Sequence, residues 1–132
     1  RFAAEALATT GTRALVEACN IQDRLGFLVH NSAQAIDVIN QVGHDNLAFE
    51  YDIYHMQIME GNLVPRMTEI LAQIGHIQFA DTPGRHEPGT GEINYSYVFK
   101  AIDEMGWKGW LGAEYAPSGP TTETLDWMQP YL

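Results

Sequence analysis

Four segments of this chain share one order of residue types: a stretch with helical periodicity, a glycine, a short apolar run, and then a side chain able to bind a metal ion. The side chains that close the segments are Glu17, Asp52, Gln78 and Glu114. Apolar residues at helical spacing followed by a short apolar run predict a helix and then a buried strand. Strands that alternate with helices predict a parallel sheet with right-handed crossovers, and therefore an α/β fold.

Glycine residues predict where the four helices end. Gly43 follows an apolar series at helical spacing, and Gly11, Gly75 and Gly106 occupy the same place in the other segments. A glycine after the last apolar residue of a helix fits the left-handed C′ position, where the missing Cβ removes a steric penalty. Functional groups collect at the carboxyl ends of parallel strands in such folds. We therefore expect the four polar side chains at one end of the sheet.

The chain length allows two architectures. A complete (β/α)8 barrel usually needs about 250 residues, whereas four units fill the 132 residues of this chain. The residues fit either half of a closed barrel or a small open sheet. No linker or second domain is visible, and residues 83–91 are interpreted as an insertion at the rim of the site. The chain begins without methionine in a predicted helix, so we expect a fragment.

The composition disfavours several classes of protein. Asp and Glu number 17 against 7 Lys and Arg, a formal net charge of −10, which argues against a basic face that binds nucleic acid. The single cysteine, Cys19, forms no internal disulfide and provides no zinc-ligand spacing, so we expect a cytoplasmic protein. No apolar run is long enough to span a bilayer. We expect neither a nucleic-acid partner nor a membrane partner.

All four polar side chains at the predicted strand ends offer oxygen atoms as ligands. Hard oxygen donors favour Mg²⁺ or Mn²⁺, whereas zinc prefers the nitrogen and sulfur atoms of histidine and cysteine. Considered alone, each of the four fits an ordinary polar residue at a strand end as well as it fits a metal ligand. Their common position in four successive segments favours one site for a divalent cation.

Two further residues are candidates for substrate binding. His55 comes three positions after Asp52, where the second strand is expected to turn into its loop, and a histidine there would polarise a carbonyl or hold a hydroxyl. Arg85 lies in a loop shaped by proline and glycine, and its planar guanidinium suits a carboxylate. The structural alternatives are a histidine satisfied by a loop carbonyl and an arginine paired with Glu87 or Glu92.

Two long segments have a specific order of residues. The first is Asp-Ile-Tyr-His-Met-Gln at 52–57 with Met-Glu-Gly-Asn-Leu at 59–63. The second is His-Ile-Gln-Phe-Ala-Asp at 76–81, which runs into Pro-Gly-Arg-His-Glu-Pro-Gly-Thr-Gly-Glu-Ile-Asn-Tyr at 83–95. Both segments resemble the hydroxypyruvate isomerase family. Leu-Val-Glu at 15–17 with Asn20, and Gly-Ala-Glu-Tyr at 112–115 with Pro117, are similar to the strands that carry the two acid/base glutamates of that family. The resemblance covers nearly the whole chain.

The resemblance implies that residues 1–132 are the C-terminal half, about strands 5–8 with their helices, of a xylose-isomerase-like (β/α)8 TIM barrel whose first half is absent. It also implies one divalent metal ion held at the four strand ends, an acid/base pair formed by Glu17 and Glu114, and two substrate ligands, His55 and Arg85. The implied reaction interconverts hydroxypyruvate and tartronate semialdehyde, small 2-oxo and hydroxy acids, by proton transfer through an enediolate.

The chain departs from the family pattern at two places and in its length. Ala18-Cys19 stands where proline and an aliphatic residue are usual, and Ala116 stands where lysine commonly precedes the proline. Neither departure removes a predicted metal ligand. Half of a barrel leaves two sheet edges and an apolar interior uncovered. We therefore expect a missing N-terminal half-barrel or a homo-oligomeric partner.

Three other functions stay open from the sequence. An isomerase or epimerase of a longer 2-oxo acid or of a ketose would share the same ligands. A metal-dependent endonuclease of the same broad superfamily usually needs several metal ions, many histidine ligands and a less acidic surface. A half-barrel that binds a metal ion or a partner without catalysis is the third alternative.

Overall fold

The computed structural model describes residues 1–132, and its framework is one four-stranded parallel sheet. The strands are β1 (Ala14–Glu17), β2 (Leu47–Asp52), β3 (Ile74–Phe79) and β4 (Leu111–Ala113), and they stand side by side in chain order. Every neighbouring pair is parallel. Parallel neighbours require a crossover connection, usually a helix, between successive strands. The predicted α/β fold with four strand units is therefore confirmed.

Five α-helices precede or connect the strands. They are α1 (Phe2–Ala8), α2 (Ser32–Val42), α3 (Ile53–Met59), α4 (Leu63–Ile70) and α5 (Tyr95–Glu104), and short 3-10 turns occupy Leu71–Gln73, Thr121–Glu123 and Asp126–Tyr131. The longest helix, α2, has 11 residues, and none has the length and hydrophobicity to cross a membrane. Gly43 ends α2 at φ 58° and ψ 51°, the left-handed conformation that the sequence predicts there.

Gly75 lies inside β3 and not at the end of a helix, so that prediction was wrong. Helix α4 ends at Ile70, and a 3-10 turn leads directly into the strand. A Cβ atom at position 75 would lie 2.7 Å from the Cβ of Ala48 and 2.8 Å from Cδ2 of Leu15. The glycine is therefore required by close packing on the sheet, where the register between β2 and β3 shifts.

The hydrophobic core lies between the sheet and its helices. Large buried side chains come from alternate strand positions and from the inner helix faces, and include Phe49, Tyr51, Met56, Met67, Ile77, Phe79, Phe99 and Ile102. Burying a side chain of this size contributes about 1.5–3 kcal/mol. The core therefore stabilises the sheet, whose other face carries the candidate site residues.

The face of the sheet opposite the helices is largely polar. Because side chains alternate between the faces of a strand, the residues between the core positions share this other face. They include Glu17, Glu50, His76 and Gln78, and all four are partly exposed. The expected uncovered apolar interior was wrong, although Leu15 adds one exposed apolar side chain there. A polar face stays hydrated at little cost, because its groups keep their hydrogen bonds to water.

Candidate active site at the carboxyl ends of the strands

The four predicted metal ligands all lie at the carboxyl ends of the strands. Glu17 ends β1, Asp52 ends β2, and Glu114 directly follows β4. One carboxylate oxygen of each of these three residues lies within 4.8 Å of the other two. Gln78 pairs in register with Asp52 on one side and with Gly112 on the other. The structure thus brings the predicted residues to one end of the sheet, and three of them converge directly.

Asp52 is the most deeply buried carboxylate of the cluster, with 1% of its surface exposed. Its Oδ1 accepts a hydrogen bond from the backbone N–H of Tyr54 at 2.9 Å and caps helix α3. Burial raises the pKa of Asp52 to about 7, although the positive charge of Arg85 acts in the opposite direction. Because α3 begins at Ile53, His55 lies on the first turn of a helix and not in the expected loop.

His55 lies between two of the carboxylates and is 1% exposed. Its Nε2 is 3.6 Å from Oε1 of Glu17 and 3.6 Å from Oδ2 of Asp52. Burial, together with the positive charge of Arg85, lowers the pKa of His55 to about 4. The imidazole is therefore neutral near pH 7, so these contacts are not ion pairs.

Arg85 connects the ends of β2 and β4. Its Nη2 donates to Oδ2 of Asp52 at 3.1 Å and to Oε2 of Glu114, and its Nε donates to the backbone oxygen of Glu114 at 3.3 Å. The guanidinium also lies 5.0 Å from the centroid of the Tyr54 ring, within the range of a cation–π contact. Arg85 therefore already binds carboxylates at the centre of the cluster.

The alternative partners proposed for Arg85 bind elsewhere. Glu87 accepts hydrogen bonds from the backbone N–H and the hydroxyl of Ser118, and Glu92 accepts one from Nε2 of Gln57. Neither glutamate forms an ion pair with Arg85. The arginine thus faces the site rather than its own loop.

One buried carboxylate, Asp81, organises the loop that carries Arg85. Its Oδ1 accepts from the N–H groups of Thr82 (2.9 Å) and Ile93 (3.1 Å), and its Oδ2 accepts from those of Gly89 and Gly91 (2.9 Å each). This role of Asp81 was not predicted from the sequence. An aspartate at the start of a loop rich in glycine and proline is the signal that would have indicated it.

The same loop is fastened to the segment after β4. The backbone oxygen of Arg85 accepts from the N–H of Ala116 at 2.8 Å, and Nδ1 of His86 lies 2.6 Å from the backbone oxygen of Ala116. Arg85 itself has φ 56°, a left-handed conformation that is uncommon for residues other than glycine. These contacts hold an unfavourable backbone conformation and so fix the position of the guanidinium.

Cys19 and Glu50 also lie close to the cluster. A second group of possible ligand atoms, from Glu17, Cys19 and His55, lies within 4.8 Å. Burial raises the pKa of Cys19 to about 12, supported by the charge of Glu17 and a hydrogen bond to its carboxylate, so the thiol is protonated and a weak ligand. Glu50 pairs in register with Glu17, and burial raises its pKa, with Glu17 and Glu114 adding to the effect.

The donor set at the strand ends fits a hard divalent cation. Three carboxylates within 4.8 Å repel one another, and Arg85 neutralises only part of their charge. Carboxylate oxygens, together with the amide oxygen available from Gln78, are the ligands that Mg²⁺ and Mn²⁺ prefer.

Comparison with known proteins identifies relatives along nearly the whole chain. A family model described as a xylose isomerase-like TIM barrel matches residues 1–131. The hydroxypyruvate isomerase of Escherichia coli is 48% identical over 131 residues, covering 99% of this chain and 51% of that protein. The 2-oxo-tetronate isomerase of Cupriavidus necator is 41% identical over 131 residues, covering 99% of this chain and 50% of that protein.

Among solved structures, an AP endonuclease of family 2 from Brucella melitensis matches with a TM-score of 0.94 and 38% identity, covering 98% of this chain and 50% of that chain. An L-ribulose 3-epimerase matches with a TM-score of 0.76 and 27% identity, covering 87% of this chain and 38% of that chain. The chain spans about half the length of the curated relatives it matches.

Proposed function

This chain belongs to the xylose isomerase-like TIM barrel family, and on that premise we propose that its site serves the proton-transfer isomerisation of a small 2-oxo or hydroxy acid. Hydroxypyruvate, interconverted with tartronate semialdehyde, is the first candidate substrate. The observation that carries the proposal is the convergence of Glu17, Asp52 and Glu114 within 4.8 Å, beside His55 and Arg85. The names of the isomerases that the chain resembles support it.

The proposed cation ligands are Glu17, Asp52, Gln78 and Glu114. Glu17, Asp52 and Gln78 stand in three neighbouring strands and Glu114 directly follows the fourth, so their side-chain oxygens would hold a cation at this end of the sheet. When bound, Mg²⁺ or Mn²⁺ supplies positive charge that favours negative charge on neighbouring oxygen atoms.

Glu17 and Glu114 are the proposed acid and base. Moving a carbonyl between adjacent carbons requires the removal of one proton and the delivery of another, through an enediolate. Glu17 ends the first strand and Glu114 directly follows the last, and one carboxylate oxygen of each lies within 4.8 Å of the other. A pair of carboxylates in that arrangement can remove a proton from one carbon and return it to the next.

His55 and Arg85 are the proposed substrate ligands. The buried Nε2 of His55 points between two carboxylates, where a substrate oxygen would lie. The guanidinium of Arg85 binds two carboxylates of the chain itself, which supports its capacity to hold the carboxylate of a 2-oxo acid.

We test this function by proton NMR of hydroxypyruvate in D₂O with the full-length gene product and Mg²⁺, with and without a chelator. Conversion with deuterium incorporation that the chelator abolishes is expected. Glu17→Gln and Glu114→Gln should abolish conversion, whereas Glu123→Gln, at an exposed glutamate outside the ion pairs, should not. Full turnover by either active-site variant would contradict the acid/base assignment.

A longer 2-oxo acid is the second candidate substrate, because two of the relatives named above differ in this respect. The Cupriavidus necator protein is named for 2-oxo-tetronate and is 41% identical to this chain. Parallel assays with hydroxypyruvate and 2-oxo-tetronate separate the two, since the substrate with the higher kcat/KM identifies the better fit.

Endonuclease activity is disfavoured, although the Brucella melitensis relative carries that name. The cluster offers three carboxylates and one histidine, and the chain has a net charge of −10. Such a charge repels a phosphate backbone. Metal-dependent cleavage of a duplex with an abasic site would overturn this conclusion.

We also propose that further strands complete the sheet, either from the rest of a longer protein or from a second copy. Strands β1 and β4 each have only one neighbour, so each leaves backbone hydrogen-bonding groups on its outer side. Light scattering after size exclusion tests this point. A stable monomer consisting of residues 1–132 alone would contradict it.

A further inference from the structure

Nδ1 of the His55 ring faces two nitrogen donors, both from Asn20. The backbone N–H of Asn20 donates to Nδ1 at 3.2 Å, and the side-chain Nδ2 of Asn20 lies 2.7 Å from the same atom. Neither an amide N–H nor an amide NH₂ group accepts a hydrogen bond. Nδ1 must therefore be the acceptor and carry no proton.

The orientation of the Asn20 amide is itself determined by its neighbours. Its Oδ1 accepts from the backbone N–H of Asp23 at 2.8 Å, and its Nδ2 donates to Oδ2 of Asp23 at 2.9 Å. The hydroxyl of Tyr54 donates to the same Asp23 oxygen at 2.7 Å. A flipped amide would place donor against donor and oxygen against carboxylate. Nδ2 therefore faces His55. Asn20 itself is 0% exposed, whereas Asp23 lies at the surface.

A neutral histidine with an unprotonated Nδ1 carries its proton on Nε2. That N–H points into the site, 3.6 Å from a carboxylate oxygen of Glu17 and 3.6 Å from one of Asp52. We propose that Asn20 is a positioning residue that holds His55 in the Nε2–H tautomer, which makes His55 a hydrogen-bond donor to a substrate oxygen and excludes it from binding a cation. The substrate part of this role rests on the proposed isomerase function.

The Nε2–H tautomer of His55 also distinguishes the two possible groups of cation ligands in the site. His55 shares one of them with Glu17 and Cys19. A histidine binds a cation through a nitrogen lone pair, and Nε2 has one only if Nδ1 takes the proton. Because Nδ1 faces two N–H donors, that tautomer is disfavoured. That leaves the group formed by the carboxylates of Glu17, Asp52 and Glu114 as the one that would hold a cation.

Nitrogen-15 NMR of protein labelled at histidine tests the tautomer directly, without substrate. His55→Gln assigns the signals by their disappearance. Wild-type protein should show a protonated Nε2 and an unprotonated Nδ1. Asn20→Asp replaces the donor by an acceptor of the same shape, so Nδ1 should gain a proton, whereas the exposed Asn40→Asp should change nothing at His55. A wild-type Nδ1–H tautomer, or an unchanged His55 spectrum in Asn20→Asp, would overturn the proposal.

Calorimetric titration with Mn²⁺ is the second measurement and does not depend on Asn20 variants folding. His55→Gln should weaken Mn²⁺ binding much less than Glu17→Gln, because His55 only contacts proposed ligands. A loss in His55→Gln as large as that in Glu17→Gln would overturn the exclusion of His55 from the cation.

Turnover then distinguishes this inference from the proposed function. Asn20→Asp should lower kcat for hydroxypyruvate by roughly a hundredfold, the cost of losing one oriented donor to a developing oxyanion. If the wild type has the Nε2–H tautomer but does not isomerise the substrate, the isomerase function fails and the positioning by Asn20 stands. If it isomerises the substrate with an Nδ1–H histidine, the positioning fails and the function stands.

Discussion

Replacing Asp81 by asparagine tests whether one buried carboxylate holds the loop that carries Arg85. Four backbone N–H groups donate to Asp81, two to each oxygen. Asparagine keeps the shape of the side chain but turns one oxygen into an NH₂ group, which cannot accept. Two of the four N–H groups therefore lose their acceptor, whichever way the amide is oriented.

The expected loss of stability in Asp81→Asn follows from these two lost hydrogen bonds. A hydrogen bond to a charged group contributes about 1.5–3 kcal/mol. The glycine N–H groups on Oδ2 are only partly buried, so the new NH₂ group should face them, and water should offset part of the loss. We expect Asp81→Asn to lower the free energy of unfolding by about 3–4 kcal/mol. That is a large fraction of the roughly 5–15 kcal/mol typical of a whole domain.

The assay is urea unfolding of the full-length gene product, followed by tryptophan fluorescence and far-UV circular dichroism. The control is Asp45→Asn, at an exposed aspartate with no side-chain hydrogen bond, which should change stability by less than about 0.5 kcal/mol. If Asp81→Asn is as stable as this control, the four hydrogen bonds do not hold the loop and our account of how Arg85 is positioned is wrong.

Three further substitutions test other parts of the structure. Arg85→Lys keeps the charge but loses the planar fork, and the loss of one charge-assisted hydrogen bond should raise KM for hydroxypyruvate about tenfold or more; an unchanged KM would contradict the substrate role. Gly91→Ala places a Cβ 2.1 Å from the backbone oxygen of Thr82, so its melting temperature should fall well below that of Gly119→Ala, which meets open space; equal values would refute the packing argument. Hydrogen bonds from neighbouring side chains lower the pKa of Asp23, so it stabilises the fold above about pH 4 and loses that effect in more acidic solution. The difference in unfolding free energy between wild type and Asp23→Asn should therefore shrink as pH falls below 4, and a constant difference in urea titrations would contradict this reading.

The order of helices and strands was predictable because it depends on local patterns. Apolar residues at helical spacing, followed by glycine and a short apolar run, predicted four helix–strand units, and β1 to β4 occupy those places. Gly43 adopts the predicted left-handed conformation, and its backbone N–H donates to the oxygen of Ile39 in the same helix. The strand ends, and with them Glu17, Asp52 and Glu114, were therefore located from the sequence.

Helix α3, which stands where a loop was predicted at His55, is one wrong prediction, and the other two concern contacts between strands. Gly75 looks like a helix end in the sequence, but its role is to let Ala48 and Leu15 pack closely on the sheet. The interior was expected to be apolar, whereas Glu50 and His76 lie on that face in register with one another. Neither feature is visible locally, because each depends on which strand lies beside β3 and with what register.

The sequence by itself determined which side chains stand at the carboxyl ends of parallel strands, since the alternation of helical segments and short apolar runs predicts that arrangement. Only the tertiary structure decided how these side chains meet. Arg85 reaches Asp52 across 33 positions and Glu114 across 29, and Asn20 reaches His55 across 35. Such contacts depend on the path of the loops, which buried groups such as Asp81 determine through hydrogen bonds to distant backbone atoms. Local propensity carries no information about that path, because the free energy that selects it comes from contacts formed only when the chain is folded.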